Sequence, residues 1–193
     1  MINENAIKRF EAFYKNSEEA FEMNDEAFKN NIKKYLDLKK MLHQVDVSNS
    51  EVFQRRFSYF YGLNRFVSAD GKRVYFNKLE SLKNTTEHIN VGQLTEEMES
   101  GLGKYHFSFC SKMADIINDN LYPIYDSNVR TIFHRRGLGY GHDYYVAVYN
   151  DIIDTYKELK NHPVVSAFKK KYQPKGMGYM KILDALFWVM GRE

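Results

Sequence analysis

Two residues of this chain have the types and the spacing to act on a substrate together. Lys112 stands at the head of one apolar-periodic segment, beginning at Phe107, and Asp126 stands fourteen residues later at the head of the next, which runs to Phe133. A neutral amine is a nucleophile that forms imines, and a neighbouring carboxylate can take its proton or stabilise a developing cation. Each residue also has a purely structural reading. Pro123 cannot continue a helix and biases Tyr122 away from the helical region, so the chain is expected to be extended there before a new helix begins. Asp126 is then the natural N-cap, binding the amides of residues 128 and 129 and complementing the helix dipole, a role worth about 1 kcal/mol. Lys112 in a first helical turn opposes the dipole, which a surface lysine tolerates. Flanked by Phe107, Phe109 and Cys110, however, it is desolvated if the segment enters the core. Burial disfavours the ammonium form and brings the amine toward the range in which a nucleophile exists near neutral pH.

The elements that must position this pair are helical. Prolines occur only at 123, 163 and 174, and apolar residues recur at helical spacing almost throughout, which predicts an all-α protein. Helices are expected over 4–15 (Ile7, Phe10 and Tyr14 on one face) and from Asn24 or Asp25 to about residue 44. Ser48-Asn49-Ser50-Glu51 has the form of a capping box that opens a helix through Val52, Phe53, Phe57, Phe60 and Tyr61. Ser68-Ala69-Asp70-Gly71 is expected as a turn before a helix reaching Leu82, and Gly101 with Gly103 as the close of a short helix over 91–100. Further helices are expected over 108–119, 127–136 and 143–160, from Pro163, and over 178–190, the last apolar enough to be a core element. The chain is expected to form a single domain over 1–193, or two helical lobes, 1–85 and 86–193, around a cleft.

At 193 residues and 44% hydrophobic, the chain can bury a sizeable core. Fifteen tyrosines and fourteen phenylalanines permit base stacking as well as core packing. A formal charge of +3 is too mild to make nucleic-acid binding the default, but its distribution is uneven, acidic near Glu18 to Glu26 and basic in the C-terminal third. Arg55 and Arg56, between Phe53, Tyr59 and Tyr61, fit either an outward helix face or a phosphate-holding surface, and Arg135 and Arg136 after His134 fit either a helix C-terminus or a phosphate contact. The glycine-punctuated loop from Gly137 to Tyr145, with Tyr140 and His142, could edge a pocket or simply join two helices. Cys110 is the single cysteine, so no intrachain disulfide is expected, in keeping with a reducing, cytoplasmic setting. No apolar run approaches the roughly 20 residues of a membrane span. The six histidines lack metal-ligand spacing, and glycine-rich phosphate loops are missing, so neither a metal nor a cofactor is expected.

The segment 107–133 resembles the helix-hairpin-helix DNA glycosylase superfamily, in which a Gly-Val-Gly-x-Lys hairpin opens one helix and Val-Asp-x-x-Val opens a following one. Here Ser108-Phe109-Cys110-Ser111-Lys112 stands where the hairpin would be, with Ser108 and Cys110 in place of its glycines, and Ile124-Tyr125-Asp126-Ser127-Asn128-Val129-Arg130 where the aspartate segment would be. Gly101 and Gly103 offer a displaced hairpin as the alternative. The resemblance implies an all-helical glycosylase-like fold and base excision from double-stranded DNA. A nucleotide would be flipped into an aromatic pocket, Lys112 would attack C1′, and Asp126 would deprotonate it or stabilise the sugar cation. Ser108, Cys110, Tyr125, Arg130, Tyr140 and His142 would then contact substrate, with Arg55, Arg56, Arg135 and Arg136 on the DNA backbone. The alternative is a non-catalytic all-helical module that binds DNA or another protein, with Asp126 as a cap only.

Overall fold

Short polar side chains that bind their own helix's first amides punctuate this chain. Asn3, Asn16, Ser50, Ser68, Asn90 and Asp126 each accept a hydrogen bond from the amide three residues on, closing orphan donors of a first turn. The computed structural model describes residues 2–134 and 141–192, and these residues are all-helical, with no strand among them. The helices are α1 (Glu4–Phe13), α2 (Ser17–Met23), α3 (Asp25–Leu42), α4 (Glu51–Tyr61), α5 (Ala69–Leu82), α6 (Val91–Leu102), α7 (Phe107–Ile117), α8 (Ser127–Phe133), α9 (His142–Leu159), α10 (Pro163–Tyr172) and α11 (Tyr179–Met190). A 3-10 turn, Leu63–Arg65, follows α4.

Several boundaries differ from the sequence expectation for identifiable reasons. The cap of α4 is Ser50, not Ser48, because Asp46 already holds the Ser48 amide and hydroxyl in a turn of its own. Ser68 begins α5 rather than a free turn, its hydroxyl accepting from the Gly71 amide. Asn16 opens the short helix α2, which apolar periodicity over so few residues does not signal. Ser108 and Cys110, expected at a hairpin, lie within α7, and the turn that joins α6 to α7 comes earlier, from Gly103 to His106. Lys112 consequently sits in the second turn of α7, not the first.

The core runs through the molecule, and α11 is its axis. From Met180 to Phe187 every residue of α11 is buried, the charged Lys181 and Asp184 among them. Helices α8, α9, α10 and α1 pack on it, so the N-terminal helix belongs with the C-terminal ones, and α2 packs on α10. The closely packed pair α5 and α6 spans residues 85 and 86, the boundary expected between lobes. Phe10, Phe133 and Tyr156 surround Phe187, with ring centroids 5.0 to 5.3 Å from it. No helix among the described residues is long and apolar enough to cross a membrane.

The start of α11 is anchored by a close backbone approach. The Gly178 amide donates to Asp119 Oδ2 at 2.8 Å, and Lys39 closes the other carboxylate oxygen at 2.6 Å. A Cβ at position 178 would overlap the Asp119 carbonyl group. Gly178→Ala is therefore expected to lower stability by about 2 kcal/mol or more, since backbone and not a flexible side chain must yield. Chemical denaturation of the variant and the parent chain measures this.

Candidate active site

A cavity of about 830 Å³ opens between two walls. One wall is the C-terminal end of α4 with the 3-10 turn, and the other is built from α7, the extended stretch before α8, and α11. Gly62 makes the first wall possible. It terminates α4 in the left-handed region, at φ 75°, a conformation that costs glycine little. Aromatic rings contribute Tyr59, Phe60, Phe66, Phe109 and Trp188 to the lining. Tyr59 and Phe66 are 75% and 65% exposed, so flat apolar surface is available at the rim for a partner's rings.

Lys112 and Asp126 both line this cavity. The Lys112 ammonium donates to the carbonyl of Tyr61 at 3.3 Å, one of the carbonyls that the end of α4 leaves without a helical partner, and lies 5.1 Å from the Phe109 ring centre. Burial pulls the amine down to about 8, with the charge of Asp126 opposing that shift and Lys181 adding to it. A substantial neutral fraction near physiological pH follows. Asp126 caps α8 with Oδ1, which accepts from the Val129 amide at 2.9 Å. The structural and the chemical roles of Asp126 are thus compatible, since a carboxylate has further lone pairs on its second oxygen.

The extended stretch that presents Asp126 is pinned through its buried amides. The Tyr125 amide donates to Ser111 Oγ at 3.0 Å, and the Ile124 amide donates to Asp184 Oδ2 at 2.9 Å. Ser111 in turn donates to the Ser108 carbonyl, tying the stretch to the same helix that carries Lys112. Pro123 forces the extension, and these bonds satisfy the amides it frees.

Beneath the pair lies a charged cluster that sequence reasoning missed. Lys112 and Asp115 lie three residues apart on α7, and Lys181 and Asp184 have the same spacing on α11. Lys181 Nζ is 3.2 Å from Asp115 Oδ2, which also accepts from the Tyr61 hydroxyl at 2.9 Å. The rings of Tyr35, Tyr61 and Phe60 flank the Lys181 ammonium, their centres 4.6 to 5.8 Å away. Burial pushes Asp115 up to about 6, against the pull of Lys181. Asp184 is raised well above 3.8, chiefly by burial, with Lys181 opposing and Asp115 adding to the rise. The available signal was two charges, Lys181 and Asp184, in the otherwise apolar run Met180 to Met190, since buried charges are rare unless paired or functional.

A raised aspartate has a definite consequence for stability. Asp184 binds its proton more tightly in the folded chain, so its contribution is full below about pH 4, the ordinary aspartate range, and is lost as pH rises through the folded value. Asp184→Asn imitates the protonated acid and keeps an oxygen for the Ile124 amide. The variant is expected to match the parent chain in acid and to exceed its stability in mildly alkaline solution. Thermal unfolding at about pH 4 and pH 9 measures the divergence.

The remaining residues singled out by sequence fall in distinct places. Ser108, Tyr125 and Arg130 line the cavity. Cys110 is fully buried inside α7, and burial raises its thiol to about 11, so it is neither open to a substrate nor a thiolate. His142 begins α9 away from the cavity, where Nδ1 meets the Tyr105 hydroxyl at 2.8 Å and Glu96 at 3.2 Å. Arg55 and Arg56 are exposed on α4. Tyr140, Arg135 and Arg136 lie outside the described residues. Among the described residues no three His, Cys, Asp or Glu side chains gather as a metal site. No family model, no curated protein and no solved structure matches this chain.

Proposed function

We propose that this chain is a DNA glycosylase-like enzyme of helix-hairpin-helix type that removes a damaged or modified base by attack at C1′ of a flipped nucleotide. The observation that carries the reading is that Lys112 and Asp126 both line one aromatic-rich cavity, with burial drawing the amine down to about 8. In this reading the hairpin is the turn from Gly103 to His106 that joins α6 to α7, ahead of the segment from Ser108 to Lys112 aligned by sequence.

In this reading the target base lies against the aromatic lining while C1′ faces Lys112. The neutral amine attacks C1′ as the bond to the base breaks, and the electron pair leaves with the base. Asp126 accepts the proton that the amine loses, and its charge stabilises the cationic sugar along the way. The N,O-acetal formed at C1′ opens to an imine as the C1′–O4′ bond breaks and O4′ takes the proton back from Asp126, and strand cleavage can follow from the imine. A DNA duplex carrying an abasic site or one of a panel of modified bases, incubated with the chain and borohydride, tests this. The expected product is a covalent adduct at Lys112 identified by mass spectrometry. The absence of both adduct and base release across the panel would end the proposal.

One observation favours a second reading, the capping bond from Asp126 to Val129. A non-catalytic DNA-binding or interaction module would need Asp126 for that bond alone. It predicts DNA affinity with steep salt dependence and no chemistry.

A further inference from the structure

The Lys181–Asp115 pair is expensive to maintain as a structural element. Lys181 is 3% exposed and Asp115 is fully buried, and removing both charges from water costs several kcal/mol that one contact of 3.2 Å and one tyrosine hydroxyl only partly return. Asp115 Oδ1 has no hydrogen-bond partner among the described residues, which adds to the cost. An apolar pair of similar volume would hold α7 to α11 at least as well. The pair stands where it faces a second lysine: Lys181 lines the same cavity as Lys112, and Asp115 lies one turn beyond Lys112 on the same helix.

We propose that Lys181, clamped by Asp115, is a positioning residue that keeps Lys112 in its neutral, attacking form. Its ammonium is a like charge held in place by Asp115 in a poorly solvated cavity, where repulsion between cations is weakly screened, and it adds to the lowering that burial of Lys112 itself produces.

The other groups around Lys112 do not replace this effect. On the wall of α4 and the 3-10 turn stand the Tyr61 carbonyl, which favours the ammonium, and Arg65, which is exposed and screened by solvent. His106, just before α7, is held toward its neutral form by burial and by Lys104. Asp126 favours the ammonium, and Arg130 on α8 is half-buried beside it. Asp184 on α11 is held toward its uncharged form by burial. Besides Lys112 itself, Lys181 is the cation held most deeply among the described cavity residues.

The inference deepens the glycosylase reading and rests on Lys112 being the attacking amine, but its test contains no DNA. Trace acetylation of the full chain with acetic anhydride, across roughly pH 6 to 11, with the Lys112 peptide quantified by mass spectrometry, reads the titration of that one amine. The parent chain is expected to show a midpoint near 8. Lys181→Met should raise it by about one pH unit, the size of one weakly screened like charge, whereas Lys181→Arg should leave it near the parent value. If Lys181→Met does not fold, the double variant Lys181→Met/Asp115→Asn, which removes both charges together, is expected to show the same rise. A folded variant of either kind with an unmoved midpoint overturns the proposal, as does an equal rise in Lys181→Arg. The two readings fail separately. An unmoved midpoint leaves trapping on DNA intact, and failure to trap with the expected midpoints leaves the electrostatic role of Lys181 intact.

Discussion

Lys112→Met is expected to abolish borohydride trapping and to lower base release by at least about 10³-fold, because a covalent step through this amine has no substitute in the cavity. Lys181 cannot stand in for it. That amine belongs to a residue only 3% exposed, is held by Asp115, and is enclosed by the rings of Tyr35, Phe60 and Tyr61. Methionine retains most of the aliphatic volume of Lys112, so the wall beside Phe109 stays filled although the cation over its ring is lost, and DNA affinity at fixed salt should change little. The measurement is single-turnover base release with gel-resolved trapping on the same DNA. Undiminished base release in Lys112→Met together with loss of trapping would instead identify a water-using enzyme that depends on Asp126 alone.

Asp126→Asn is expected to lower base release by about 10² to 10⁴-fold while leaving stability and DNA binding nearly unchanged. The structure makes this substitution informative. Asp126 caps α8 through Oδ1, and asparagine caps a helix about as well as aspartate, so the bond to the Val129 amide is preserved while the charge and the base are lost. Asp126→Ala removes both functions and should cost about 1 kcal/mol in addition. If Asp126 is only a cap, Asp126→Asn is silent in every assay and Asp126→Ala alone has an effect, on unfolding. Base release of the two variants, set beside their denaturation midpoints, distinguishes the roles. The loss of the nearby negative charge also lowers the Lys112 amine further, since Asp126 favours its ammonium. The activity lost in Asp126→Asn therefore cannot be ascribed to a shortage of neutral amine.

The sequence by itself left open whether Lys112 is solvated or buried, and it determined the helical class, most helix starts and the extended stretch at Pro123. These are local matters. Helical spacing of apolar residues selects a buried face, a proline removes a helical amide, and a serine, asparagine or aspartate three residues ahead of an orphan amide caps it. Where two local devices competed, as with Ser48 and Ser50, the composition of the segment did not decide between them, and the turn around Asp46 did. Only the tertiary structure brought Lys112 and Asp126 into one cavity, because their fourteen-residue separation permits many relative orientations and the choice is made by Ser111 and Asp184 binding the amides of Tyr125 and Ile124. It likewise placed Lys181 and Asp184, some seventy residues beyond Lys112 in sequence, beneath the candidate site. A periodic pattern states which side of a helix is turned inward but not which other helix it meets, and the electrostatics of a buried amine depend on that meeting.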